Sequence, residues 1–321
     1  MDKMKNGAVL RNGTQRTSNE VFEKYAIVIA FLALLIVVSI LCSSFLTPSN
    51  LILVLNQTSI NGILAVGITY VLITAGIDIS IGSVVGLSGV ISAMVVKAGA
   101  PLPVGFLCGI LAGTIIGILV TKGKLAPYIV TLGFLTIIRG AALLIAGGRP
   151  ISSLGDAYGW IGNHNVFGII PCPVIIFLIV VVIGHIILAH LQIGRYIYAV
   201  GGNSNAAEAC GISPHKGKMF VHVFCGTCAG LAGVILSSRV ITGHPGAGEG
   251  YELDAIASAV VGGTSLAGGT GSIPGTVIGA LIIAVIGNGL DLLGVSSYWQ
   301  DIVKGAIIVV AVLLDRNKKR Q

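Results

Sequence analysis

The chain has 321 residues, of which 55% are hydrophobic and only 10% charged, and its formal net charge is +7. A soluble domain carries about 25% charged residues, so a water-soluble globular protein is excluded. The charges are also clustered: Tyr25–Ile77, Ala157–Gly194 and Ala255–Leu290 contain no Asp, Glu, Lys or Arg.

Each charge-free stretch holds one or more runs of about 20 apolar residues, the length that crosses a bilayer as a helix. Continuous apolar runs are not the weak alternating signal of a barrel. The expected fold class is therefore an all-α polytopic membrane protein with about ten transmembrane helices. In chain order, a polar segment over 1–24 precedes crossings at 26–46, 51–74, 79–97, 102–121, 127–147, 170–190, 219–241, 253–267, 272–290 and 298–314. A basic tail follows at 316–321, so that 25–315 forms one membrane domain. The first run is longer than the roughly 7–15 residues of a signal peptide's apolar core and reads as the first span. The second and third crossings are hard to separate. The eighth is short and glycine-rich, as in a broken or re-entrant span.

Basic residues set the orientation. The N-terminal segment, the connection at Lys122 and Lys124, the segment holding Arg195, Lys216 and Lys218, and the tail together carry 14 of the 19 basic residues. With ten crossings all four lie on one side, so both termini and residues 191–218 are expected in the cytoplasm. The positive charge is a topology signal and calls for no nucleic acid.

Gly105, Gly109, Gly113 and Gly117 recur every four residues in the fourth span and line one helix face. Such a face lets a neighbouring backbone approach closely. Gly82/Gly86, Gly226/Gly230 and Gly275/Gly279 repeat the spacing, and packing within one chain is the favoured reading. Cys225 and Cys228 form a CxxC inside an apolar span near His222, but no fourth ligand is at hand, so no metal site is expected.

The connection between the sixth and seventh spans is several times longer than the roughly 2–8 residues a helix–helix connector needs. Gly201 and Gly202 break the chain, Asn205 can cap a short helix with Glu208 three residues on, Gly211 can end it left-handed, and Pro214 prevents a restart. The result is a short helix over 206–210 just outside the membrane, a knob that another protein can push. No phosphate-binding loop of the GxxxxGK[ST] type is present to supply energy, and "GGTSLAGGTG" (262–271) reads as a tight, closely packed turn.

Polar residues inside spans are the candidates for a pathway: Asn56, Gln57, Asn61, Asp78, Thr131, Arg139, Asn288 and Asp291. Each also has a structural reading. An intramembrane charge usually pairs, so Arg139 is expected to pair with Asp78, Asp254 or Asp291, and Asp78 equally reads as a helix cap. Glu249 and Glu252, in "TGHPGAGEGYELD" (242–254), fall in an outer connection and could meet basic residues of an outside partner.

Five stretches carry a family resemblance: "LITAGIDISIGS" (72–83), "IVTLGFLTIIRG" (129–140), "IGRYIYAVGGNSNAAEACGI" (193–212), "YELDAIASAVVGGTSLAGGTG" (251–271) and "NGLDLLGVSSYWQDIVKGAIIVVAVLLD" (288–315). In order and over nearly the whole chain, they resemble the ribose-type permease subunits of bacterial ABC sugar importers. The resemblance implies a vitamin-importer-like architecture in the bacterial cytoplasmic membrane. Two permease subunits, here expected as a homodimer, would enclose one pathway. A cytoplasmic ATPase, often two nucleotide-binding domains in one chain, would bind ATP and Mg, leaving no cofactor on this chain. An extracytoplasmic sugar-binding protein would deliver cargo. Gly194, Arg195, Gly201, Gly202, Asn203, Ala206, Glu208 and Gly211 match the ATPase-contacting motif, with Asn205 and Ala207 in the same stretch. The rival readings are a secondary transporter or facilitator channel, and an intramembrane enzyme, for which neither HExxH nor GxSxG is present. Within the resemblance, the cargo alternatives are an autoinducer-type sugar derivative or a branched-chain amino acid.

Overall fold

The computed structural model describes residues 27–99, 104–166 and 168–318, with the side chains of 314–318 left aside. The basic segment 1–24, the first two residues of the fourth predicted crossing and the last three of the tail lie outside the described residues.

Thirteen helices follow one another among the described residues: α1 (Ile27–Leu41), α2 (Pro48–Ile73), α3 (Ile81–Lys97), α4 (Val104–Thr121), α5 (Pro127–Ala146), α6 (Trp160–Asn163), α7 (Cys172–Ala189), α8 (Gln192–Gly202), α9 (Ser204–Ala209), α10 (Pro214–Arg239), α11 (Tyr251–Val261), α12 (Ile273–Leu292) and α13 (Ser297–Lys318). Each of the ten stretches read as a crossing overlaps one helix. Six of these helices, α2, α4, α5, α7, α10 and α12, are long and apolar enough to cross a membrane, and α1 and α3 are shorter apolar helices. A 3-10 turn (Asp156–Gly159), α6 and a two-residue hairpin, β1 (Asn165–Val166) with β2 (Ile170–Pro171), occupy the connection after α5.

Helix starts follow local chemistry. Prolines stand in the first turns of α2, α5, α7, α10 and α12, where the missing N–H leaves no helical hydrogen bond unmade. This corrects the expectation for Pro214: it does not keep the chain from resuming a helix but opens α10, with Ser213 accepting from the Lys216 N–H at 3.5 Å. The α2–α3 break is also clear. Ala75 takes φ 58°, and residues 74–80 run as irregular chain that is largely buried among helices. Non-helical backbone at membrane depth is tolerated where protein covers it.

The core is built around α2 and α10, which pack against each other and against α3, α4, α7, α11 and α12. Its apolar residues include Ile63, Ile68, Leu72, Val85, Val221 and Ile235. The glycine face of α4 lies on α10. A Cβ at Gly109 would strike the Gly226 carbonyl, one at Gly226 would strike Gly109, and one at Gly113 would strike His222. Gly105 and Gly117 meet Ser92 and Met219, while Gly275 and Gly279 lie on α11 and the turn after it. All these contacts are within one chain, as the favoured reading had it.

The eighth predicted crossing is short and broken, as its glycines indicated, but its bounds are corrected. α11 has 11 residues and ends at Val261, about 16 Å of helix at 1.5 Å per residue, half of a hydrocarbon core of about 30 Å. The other half is irregular chain. Gly243 packs on Ala93 near the end of α3 and pairs with Ile151, whereas Gly248 packs on Gly82 and Val85 near its start. Residues 243–248 therefore run back along α3 into the bundle before α11 begins.

Candidate functional site

The segment after α7 forms the best-defined projecting feature. Gly194 lets α8 begin tight against the end of α7, where a Cβ would collide with the Leu188 carbonyl. One face of α8, with Gly194, Ile197, Val200 and Gly201, is buried, while Arg195 points outward. The expected break at Gly201 and Gly202 is corrected: both are the last residues of α8. Gly201 is there because a side chain would strike the Ile73 carbonyl at the end of α2.

The break falls at Asn203, and with it the cap. The side chain of Asn203, not Asn205, accepts from the N–H groups of Asn205 (3.1 Å) and Ala206 (3.0 Å). α9 therefore spans Ser204–Ala209, two residues ahead of the expected start, and Glu208 closes no capping box. The other end matches the expectation. Gly211 takes φ +80°, its N–H donates to Glu208 O, and the Ile212 N–H donates to Ala207 O, both at 2.9 Å. This pair of bonds is a Schellman motif. Asn205, Ala206, Glu208 and Gly211 are exposed, while Ala207 is buried and anchors the short helix.

The knob rests on two other elements. The Gly269 N–H donates to Ile73 O at 2.9 Å, and the Tyr198 hydroxyl donates to Gly271 O at 2.7 Å. Burial raises the Tyr198 phenol's pKa. The 262–271 turn, with Gly263, Gly268 and Gly269 at positive φ, thus clasps α8 to the end of α2, the tight packed turn that the sequence indicated. A 230 Å³ cavity lies beside the clasp, bordered by Thr74, Gly76, Pro127, Asn203, Lys218 and His222. The end of α8 and the start of α9 therefore have free volume beside them.

The candidate pathway residues separate into distinct places. Arg139 meets none of its three expected partners. Its Nη1 donates to the carbonyls of Pro245 (2.7 Å) and Ala247 (2.9 Å) on the re-entrant chain, because that unwound backbone needs donors at membrane depth. Asp78 is buried and accepts from the Ser80 N–H (3.0 Å) and Ser80 hydroxyl (2.6 Å). Ser80 itself holds the cap position of α3. The other Asp78 oxygen is 3.6 Å from His222 Nδ1, within ion-pair reach but beyond a hydrogen bond, and that nitrogen has no hydrogen-bond partner among the described residues. Asp254 pairs with Lys304 at 3.0 Å, and the exposed Asp291 accepts from Gln300 at 2.7 Å.

Asn288 exchanges two amide bonds with Asn50, at 2.8 and 2.9 Å, and both are buried. The pair joins α12 to α2. Thr131 is buried with its hydroxyl 3.2 Å from Ile77 O. Asn56, Gln57 and Asn61 are half-buried on α2, and the side-chain oxygens of Asn56 and Asn61 are buried without a partner among the described residues. Glu252 lies against Gly82 in the first turn of α3, not beside Lys97 at its far end, and Glu249 is exposed. Sequence reasoning missed Asn50 and Lys304, whose partners lie 238 and 50 residues away. It weighed Asn203 only as part of a family motif.

Residues 50–312 match the family model described as the permease component of branched-chain amino acid transport systems. The chain belongs to this permease family. It is 44% identical to the ribose import permease protein of Escherichia coli K12 over 299 residues, covering 91% of this chain and 93% of that one. Identity is 45% to the ribose import permease protein of Bacillus subtilis 168, covering 93% and 94%. It is 40% to the D-allose transport system permease protein of Escherichia coli K12, covering 92% of each. No solved structure matches the chain significantly. The knob, its clasp and the re-entrant segment all fall within the matched residues, so the site belongs to the permease body.

Proposed function

We propose that this chain is the membrane subunit of an ATP-driven importer and forms the pathway for a neutral monosaccharide of the ribose type. Relatives named for ribose import at 44–45% identity over about nine-tenths of the chain support that cargo class. The observation that carries the mechanism is α9: a six-residue helix capped at both ends, exposed on its outer face and continuous with α8, which is clasped to the end of α2 and the 262–271 turn. Such a helix transmits force, because a push on it must move what it is bonded to.

In this reading a cytoplasmic ATPase holds ATP and Mg and grips Arg195, Asn205, Ala206 and Glu208. Gly194, Gly201, Gly202 and Gly211 shape the knob, Asn203 caps it and Ala207 anchors it. Closure of the ATPase shifts the knob across the adjacent cavity. Through α7, α8 and α10 the motion reaches the bundle, a two-state packed element of the kind that switching requires. A second copy of the chain completes the pathway, ten crossings place both termini in the cytoplasm of a bacterial cell, and a binding protein delivers cargo from outside. Asn56, Gln57 and Asn61 offer amide groups to sugar hydroxyls along α2. Arg139 and Asn288 serve the fold, and Asp78 holds the α2–α3 break.

The test is uptake of labelled ribose into proteoliposomes. Uptake should require ATP, the ATPase and the binding protein together. Uptake by the permease alone, down a gradient, would replace this reading with that of a facilitator.

A further inference from the structure

The break between the 243–248 chain and α11 leaves one charge unaccounted for. Gly250 and Tyr251 stand about 16 Å of helix from the inner end of α11, near the middle of the membrane. Arg139 on α5 reaches this level and spends its Nη1 hydrogen bonds on Pro245 O and Ala247 O. Glu252 is half-buried against Gly82. Glu249 is different: it is exposed, and it makes no hydrogen bond or ion pair among the described residues. It is near enough to Arg139 to share its field. Beside it, α5 is the least covered of the long apolar helices, and Gly133 and Gly140 have open space where a side chain would be.

A bare carboxylate at this depth is not stable against lipid, and intramembrane acids face protein or a water-filled cavity. Irregular backbone at membrane depth obeys the same rule, and broken helices are where transporters place their midplane binding groups. We infer that Glu249 faces the water-filled pathway at mid-depth. There its carboxylate accepts hydrogen bonds from the hydroxyls of a neutral polyol and repels anionic solutes. Arg139 positions it by holding the chain on which it sits. This rests on the transport reading above and deepens it by naming a cargo-contacting group.

The experiment uses the complete complex of permease, ATPase and binding protein in lipid nanodiscs or proteoliposomes. In Glu249→Cys, a membrane-impermeant maleimide is applied and each labelled cysteine is mapped by peptide mass. A second cysteine placed at exposed Asn165, on the connection after α5 and away from the knob, serves as the internal fast reference and buried Cys225 and Cys228 as slow ones. The expected rate at position 249 is within about tenfold of that at position 165, slowed during turnover with ribose. A rate like that at Cys225 would overturn the assignment. For the second arm, Glu249→Gln should lower ribose uptake severalfold and Glu249→Lys at least tenfold, with binding-protein-stimulated ATP hydrolysis kept. Uptake by Glu249→Lys at the parental rate would overturn the cargo contact even if the position labels. Failure of the unmutated complex to import ribose with ATP would instead strike the transport reading and is read separately.

Discussion

Asn203 shows how much one side chain can carry at the membrane surface. Two N–H groups of α9 depend on its amide oxygen, and a cap of this type contributes about 1 kcal/mol. A helix of six residues has little else to hold its shape. Asn203→Ala should therefore leave the protein folded yet reduce ribose taken up per ATP hydrolysed, while Asn203→Asp or Asn203→Ser should restore most of it. Uptake and hydrolysis measured on one preparation check this, and an unchanged ratio would show that the cap is not needed. The Asn50–Asn288 pair gives a second case. Removing one partner leaves a buried amide unsatisfied, at a cost of about 1–3 kcal/mol. Asn50→Leu and Asn288→Leu should each lower stability by about that much, and the double variant by less than their sum. Denaturant unfolding in detergent reads the cycle. Neither pairing was legible in the sequence. Asn288 looked like a pathway group because a polar residue in a span has two readings, and only the fold brings Asn50 opposite it.

Among elements, the α4–α10 contact was the most legible. Four glycines at a spacing of four define a helix face whatever the neighbour is, and the matching glycines of α10 supplied the partner. Gly109→Leu with Gly113→Leu should therefore abolish the contact, seen as loss of folded protein in the membrane. Normal yield and a normal size-exclusion profile would refute the packing. The re-entrant segment was less legible. Glycine richness marked the eighth crossing as irregular, but the expected span ran on to residue 267, six residues past the helix end at Val261. Nor could spacing reveal that Arg139 serves backbone carbonyls, since carbonyls are everywhere in a sequence and only an unwound segment leaves them free. Arg139→Met should loosen residues 245–247, measured as faster hydrogen exchange there than in α3. Arg139→Lys, which can still donate to one carbonyl or both but lacks the planar fork, should fall between.

At the scale of the molecule, the distribution of charge and the long polar connection already separated a membrane body from a projecting surface segment. The basic residues set the expected orientation, whereas the clasp between Gly201, Ile73 and Gly269 needed coordinates because three segments distant in sequence meet there. That clasp predicts that Glu208→Lys combined with Arg195→Glu, which changes only exposed side chains, should uncouple uptake from ATP hydrolysis without altering the melting temperature by more than a few degrees. Retained coupling would remove α9 from the contact.

α10 has a further consequence. It begins three residues after Gly211, and its far end is fastened to the connection after α5: the Tyr158 hydroxyl bonds Ser237 at 2.7 Å, and the Ser238 hydroxyl accepts from the Gly162 N–H at 2.9 Å and donates to the Tyr158 carbonyl at 2.6 Å. Twenty-six residues of helix thus act as one stiff strut, about 39 Å long, between the α9 knob and the connection after α5. A displacement of the knob end of α10 is therefore carried to the hairpin end, and the reverse.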